Sequence, residues 1–147
     1  NEMLELLLTK SIREILKSSL AELNRDINSE IKHVIENIKP EKYHNNSLNI
    51  IQIKPKYAIG GVVSNKLSFA ERTKTFIVMS MYKDHVEVSA RNQNGNINCS
   101  KLLKLSVNGF NDSNAGGHKP AAGAAFPLEY LVKFKKNLEN NFLIAKL

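Results

Sequence analysis

The sequence predicts an α/β fold: a mixed β-sheet domain flanked by helices and preceded by a long N-terminal helix or helix pair. Three observations predict it. Apolar residues recur at three- and four-residue steps from Leu4 to Ile38. From Leu48 the apolar runs shorten to strand length and become rich in β-branched residues. Strand and helix signals then alternate to residue 142, the pattern of a sheet with helical layers. The division places a connector or docking element at 1–40 and the α/β domain at 41–147.

The first segment carries Leu4, Leu8, Ile12, Leu16, Leu20, Leu23, Ile27, Ile31, Val34 and Ile38 as one apolar stripe. Lys39-Pro40 ends it, because proline lacks the amide that the next turn needs and disfavours helix in its predecessor. Asn24 to Ser29 are poor helix formers, and Asn28 or Ser29 is suited to cap a second helix, so a break is expected there. An unbroken rod would reach about 55 Å at 1.5 Å per residue, longer than a small domain. The second half of the stripe is therefore assigned to core packing. Leu4, Leu8, Ile12 and Leu16 are candidates for docking a partner.

Residues 41–47 read as a polar loop, and "LNIIQIKP" as a strand closed by Pro55. In "YAIGGVVSNKLSFAER" a short apolar strand precedes a Gly60-Gly61 turn, and Ser64 caps a helical piece reaching about Arg72. Thr75–Tyr82 and Val86–Asn92 are strands joined at Lys83-Asp84, followed by an Asn94-Gly95 turn. "INCSKLLKLSV" is a short amphipathic helix capped by Asn98 or Ser100. A small-residue strand ends at Phe126, and Pro127 opens the last helix.

The formal charge of +7 among 147 residues favours a polyanionic partner. Cys99 is the single cysteine, so neither an internal disulfide nor a cysteine-based zinc site forms within one chain, which points to a reducing compartment. No run is long enough to span a bilayer, so no membrane role is expected, and a cytoplasmic, nucleoid-associated setting is. The chain opens with Asn1 rather than Met and reads as a fragment or processed product.

The most distinctive stretch is "NDSNAGGHKPAAGAAFP", residues 111–127. Gly116 and Gly117 lack side chains, so their amides are free to converge on a bound oxygen. His118 adds a donor beside them and Lys119 a charge. Arg91, at the end of a strand, presents a guanidinium suited to fork onto phosphate oxygens, and Ser89 shares its face. A bare "GGH" is a weak signal, since it is equally a turn; at average residue frequencies it arises in roughly one chain per hundred. The full "GGHxxAAG" arises on the order of once per hundred thousand chains.

Together "YAIGGVVSNKLSFAERTKTFIVMS", "VEVSARN" and "GGHKPAAGAAFP" resemble, over about residues 48–142, the DHH-associated domain found at the C-terminal end of RecJ-like phosphoesterases. The likeness is strongest to archaeal RecJ and RecJ DNA-binding-homology proteins. It implies a grip on single-stranded nucleic acid, with Ser89, Arg91, Gly116, Gly117 and His118 at the phosphate. One departure is Ala115, where the family usually has a third glycine; alanine disfavours positive φ, so a tighter loop is expected.

In such enzymes hydrolysis belongs to a separate aspartate- and histidine-rich metal domain. Here Asp26, Asp84 and Asp112 are scattered, and no Asp-His-His run is present. Two-metal hydrolysis needs several carboxylates converging on ions about 3.5–4 Å apart. The chain alone is therefore expected to be catalytically silent and to need no cofactor, with Mn or Mg required only by a catalytic half elsewhere. The resemblance further implies partners in replication or repair, the GINS complex among them. Tyr57, Phe69 and Tyr82 are candidates to stack bases, against core packing as the commoner fate of such rings. A scaffold with a spent ligand site and the C-terminal half of a Mn-dependent exonuclease or oligonucleotide phosphodiesterase are the competing functions.

Overall fold

The computed structural model describes Glu14 and residues 18–146. Helix α1 (Ser19–Asn37) leads into strands β1 (Glu41–Tyr43) and β2 (Leu48–Ile53). Helix α2 (Gly60–Ala70) connects β2 to β3 (Thr75–Met81), which pairs with β4 (His85–Asn92). Helix α3 (Cys99–Ser106), strands β5 (Asn114–Gly117) and β6 (Ala121–Pro127) and helix α4 (Leu131–Asn141) complete the order, with a 3-10 turn at Leu128–Tyr130. The sheet runs β1-β2-β3-β4-β6-β5. Among the described residues only β2 and β3 pair in parallel, which is why a helix, α2, must carry the chain between them.

The mixed α/β class is as the sequence predicts, and several elements differ in detail. Helix α1 runs through 24–29 without a break. Asn28 Nδ2 donates to the Asn24 carbonyl at 2.8 Å, one turn back, so the side chain reinforces the helix instead of capping a new one. Ile38 turns extended, with ψ 140°, two residues before Pro40. Leu4, Leu8, Ile12 and Leu16 lie outside the described residues.

Residues 41–43 form an antiparallel edge strand, not a loop, in register with Leu48–Ile50. The turn after it holds His44, Asn45 and Asn46 at positive φ. Gly60 and Gly61 are the first residues of α2, and Tyr57, Ala58 and Ile59 before them form no strand. Ser64 lies inside that helix, fully buried, its hydroxyl donating to the Gly61 carbonyl at 3.0 Å. Asn98 does cap α3, its side chain accepting from the Lys101 amide at 3.0 Å.

Two cores sit on opposite faces of the sheet. One gathers Leu48, Ile50, Ile77, Met79, Val86 and Val88 under α3 and α4, around a Phe126–Phe134 ring contact. The other packs Ile31 of α1 and Ile59 and Val63 of the α2 end onto Ile51, Ile53, Phe76 and Val78. Ile27, Val34 and Ile38 join from α1, which confirms a core role for that half of the stripe. The second core contains no residue of β4, β5 or β6. On that face α2 packs over β3 and against β4, and the sheet beyond that contact is an open shelf, where Gly116 and Gly123 are exposed and Ser89, Ala121 and Ala125 half-buried.

Candidate nucleic-acid interface

The shelf follows from strand alternation. In β4, Val86, Val88 and Ala90 are buried, so Glu87, Ser89 and Arg91 must point to the other face. Ser89 pairs with Gly123, which pairs with Gly116 on the outermost strand. Arg91 pairs with Ala121, and Ala121 exchanges backbone hydrogen bonds with His118 at 2.7 and 3.3 Å. Arg91 and His118 thus occupy one row, two strands apart, or about 10 Å between backbones. Side chains along this floor are absent or methyl-sized, and the result is an open cavity of about 280 Å³ lined by Ser89, Arg91, Gly116, Gly117, Ala121 and Gly123.

The Arg91 Nη1 donates to the Ala90 carbonyl at 2.9 Å. Among the described residues Arg91 makes no ion pair, and no carboxylate lines the cavity, so its remaining donors are available to an anion. The start of α2 meets the shelf from the side. A Cβ at Gly61 would lie 3.8 Å from Ser89 Oγ, and one at Gly60 would come within 2.6 Å of Ser80 Oγ. These two glycines let the helix N-terminus, with its partial positive charge, approach Ser89.

The glycine pair is not the concave amide cradle the sequence suggests. Gly116 and Gly117 belong to β5 and pair with β6; the reversal is made by Lys119-Pro120. Because His118 and Ala121 form a hydrogen-bonded pair, alternation makes Gly116–Gly123 the next such pair and turns the Gly117 amide outward. Gly117 has φ 131°, and a Cβ there would sit 2.6 Å from the Ala121 carbonyl oxygen. Ala115 is not at positive φ, and it pairs with Ala124 on the covered face and packs against the core. It leaves the shelf open, contrary to the tighter loop expected.

His118 is exposed, and its side chain does not line the cavity. Lys119 faces a different depression, beside α3. Its carbonyl accepts from the Cys99 amide at 2.8 Å, and the Pro120 carbonyl from the Asn92 amide at 3.0 Å, so the hairpin tip is tied down at two points. The Cys99 thiol is buried, and burial pushes its pKa up to about 12 against the opposing pull of Arg91.

Of the aromatic candidates, Tyr57 packs partly on the second core and Tyr82 stacks on His85 at 4.9 Å. Phe69 is 52% exposed, with the Arg72 guanidinium 5.6 Å from its ring centre. A larger cavity, about 600 Å³, opens between His44, Thr75, Asn92 and Phe142. None of the sequence-predicted residues reaches it, and its buried amide is already satisfied, Asn92 donating to Thr75 Oγ1 at 3.0 Å. Among the described residues no three His, Cys, Asp or Glu gather to hold a metal ion, and no helix is long and apolar enough to cross a membrane.

Sequence reasoning missed Gly60, Gly61 and Gly123 as parts of this surface. A glycine pair at the head of a helix-forming run was the available signal for the first two.

The DHHA1 domain family matches residues 49–142, a span holding every residue of the shelf. The chain belongs to the DHHA1 family. DHHA1 is an accessory domain of DHH phosphoesterases. No curated protein matches the chain. Among solved structures, RecJ from Thermus thermophilus in complex with Mg2+ superposes with a TM-score of 0.74 at 19% identity, covering 98% of this chain and 23% of that one. CDC45 from Entamoeba histolytica gives 0.61 at 11% identity, over 83% of this chain and 28% of that one. The C-Ala domain of Aquifex aeolicus alanyl-tRNA synthetase gives 0.60 at 12% identity, over 71% of this chain and 97% of that domain. At these identities the likeness is one of fold. The DHHA1 chain spans about a quarter of the RecJ and CDC45 chains it matches.

Proposed function

We propose that this DHHA1 chain is a catalytically silent, single-stranded nucleic-acid-binding module that seats a backbone phosphate on the shelf and serves replication or repair machinery. The observation that carries the reading is the convergence of Ser89, Arg91, Gly116 and Gly117, from separate parts of the chain, around one cavity free of acidic side chains. Arg91 forks onto phosphate oxygens, Ser89 donates a hydroxyl hydrogen bond, and the α2 N-terminus supplies partial positive charge. The glycine and alanine floor lets a sugar-phosphate backbone lie close to the sheet. His118, one row member further out, reaches the next polar group of the strand. The net charge of +7 adds a general field. A GINS-type complex is the replication partner in this reading, on the strength of the RecJ and CDC45 likeness.

The short coverage of RecJ favours a second reading, in which the module is the accessory half of a Mn- or Mg-dependent exonuclease whose catalytic residues lie elsewhere. Fluorescence anisotropy with a labelled single-stranded oligonucleotide tests the first reading. Binding should weaken steeply with salt, and Arg91→Ala with His118→Ala should lower affinity at least tenfold. Affinity unchanged by both would remove the shelf from consideration. Release of nucleotides by the purified chain with Mn would overturn both readings, whereas Mn-dependent release seen only when a separate catalytic chain is added would favour the second.

A further inference from the structure

Lys119, like His118, is a sequence-predicted site residue that does not line the shelf cavity. It lies across β5, in a depression of about 470 Å³ shared with Asn98, Ser100, Lys101, Lys104 and Gly117. Lys101 and Lys104 are three residues apart on α3, so both ammonium groups rise from one face of that helix, and both are exposed. Lys101 Nζ donates to the Ile144 carbonyl at 2.8 Å, which positions the charge and leaves two of its three hydrogens free. Among the described residues Lys104 and Lys119 make no ion pair, and no carboxylate lines the groove. Three cations without a counter-charge, beside a helix cap and a serine, form a site for anionic oxygen.

Gly117 lines both this groove and the shelf cavity. It belongs to β5, the outermost strand, whose far edge pairs with no other strand among the described residues. At Gly116 and Gly117 the edge carries no side chain, so it forms a low saddle between the two cavities. A Cβ at Gly116 would meet nothing within 4 Å.

We propose that the Lys101–Lys104–Lys119 groove is a second phosphate subsite, and that one nucleic-acid strand crosses the Gly116–Gly117 edge from the shelf into it. The inference rests on the shelf reading and extends it to a path. The bend over a strand edge selects the ligand class. Duplex DNA, with a persistence length near 150 base pairs, does not fold over so narrow a ridge, whereas a single strand does. The outward amide of Gly117 meets the strand at the crossing.

Anisotropy titrations with two probes test it: a labelled dinucleotide, which reaches one subsite, and a labelled oligothymidylate of about 12 nucleotides, which reaches both. The variant Lys101→Gln/Lys104→Gln/Lys119→Gln changes exposed side chains only, and thermal unfolding checks that its fold is kept. It should bind the longer probe at least tenfold more weakly, with the slope of log K against log salt shallower by about 2, from ~0.7 per lost phosphate contact. Its dinucleotide affinity should stay within twofold of the parent chain's. Arg91→Ala should weaken both probes. An unchanged salt slope in the triple variant overturns the groove, as does an equal loss for both probes. A duplex that binds as tightly as the single strand overturns the crossing. Failure of the parent chain to bind either probe, or indifference of both probes to Arg91→Ala, sinks the shelf reading itself and is distinguishable from failure of the groove alone.

Discussion

The two faces of strands β4 and β6 are made from the same stretches of chain and have opposite characters. One face presents Val86, Val88, Ala122, Ala124 and Phe126, all buried beneath α3 and α4. The other presents Glu87, Ser89, Arg91, Ala121, Gly123 and Ala125, with the start of α2 against Ser89 and the β6 residues left half-buried or exposed. A one-residue step along the strand exchanges core for surface. On the open face small residues lie between the charged Glu87 and Arg91, while the covered face beneath supplies the rigidity that holds them.

Removing a ring from the covered face should have the largest effect. Phe134 is fully buried against Phe126, with ring centres 4.4 Å apart. Phe134→Ala should cost about 3–5 kcal/mol, read by urea unfolding. The surviving folded fraction should still bind oligonucleotide with the parent's affinity, and a specific loss there would break the separation of the faces.

The adjacent glycines of β5 sharpen the comparison. At Gly117 a side chain meets backbone atoms at 2.6 Å in a left-handed conformation, so Gly117→Ala should cost at least about 2 kcal/mol. At Gly116 an added side chain enters open space. Gly116→Leu should leave stability within about 0.5 kcal/mol yet weaken oligonucleotide binding at least tenfold, by filling the shelf. Undiminished binding by a folded Gly116→Leu protein would place the ligand elsewhere.

The smallest effect belongs to an ion pair remote from both faces. Lys135 donates to Glu41 at 2.7 Å, joining α4 to β1, and Tyr43 and Gln52 also donate to that carboxylate. Burial raises the Glu41 pKa, but the hydrogen bonds and charge of Lys135, with Tyr43, outweigh it and hold the value below the ordinary 4.5. A lowered folded-state pKa means that the stabilisation is present above pH 4.5 and fades as pH falls through and below it. Glu41→Gln should cost less than about 1 kcal/mol at neutral pH, since the pair is partly exposed. Thermal melts of parent and variant should converge on acidification, while oligonucleotide binding is unaffected.

Much of this arrangement was legible in the sequence because side-chain period reports which face is buried. The alternation of β4 placed Ser89 and Arg91 together, and Asn98 marked a helix start by its chemistry, whereas Pro127 ends β6 and leads into a 3-10 turn, with α4 opening only at Leu131. The glycine motif lies on β5, two strands from Arg91 in the same sheet. Strand order was not legible, because pairing between β4, β6 and β5 is a property of the assembled sheet. Without it, nothing separated Lys119 from Arg91, and a strand of Asn-Ala-Gly-Gly carries no side-chain pattern by which to be recognised. Strand β1 was hidden for a related reason: Glu-Lys-Tyr is polar, and its place at the edge comes from pairing with β2 and from Lys135. In α1, Asn24 and Asn28 are poor helix formers one at a time, yet they bond to each other while Ile27 and Ile31 anchor the same turns.

The burial of Cys99 has a practical corollary. Its backbone amide clasps the tip of the β5–β6 hairpin, while its sulfur is sealed off and held in the unreactive thiol form at neutral pH. A thiol reagent therefore gains access only when helix α3 lifts or the hairpin lets go. The rate of alkylation at this single position becomes an intrinsic clock for how often the β5–β6 edge of the sheet breathes.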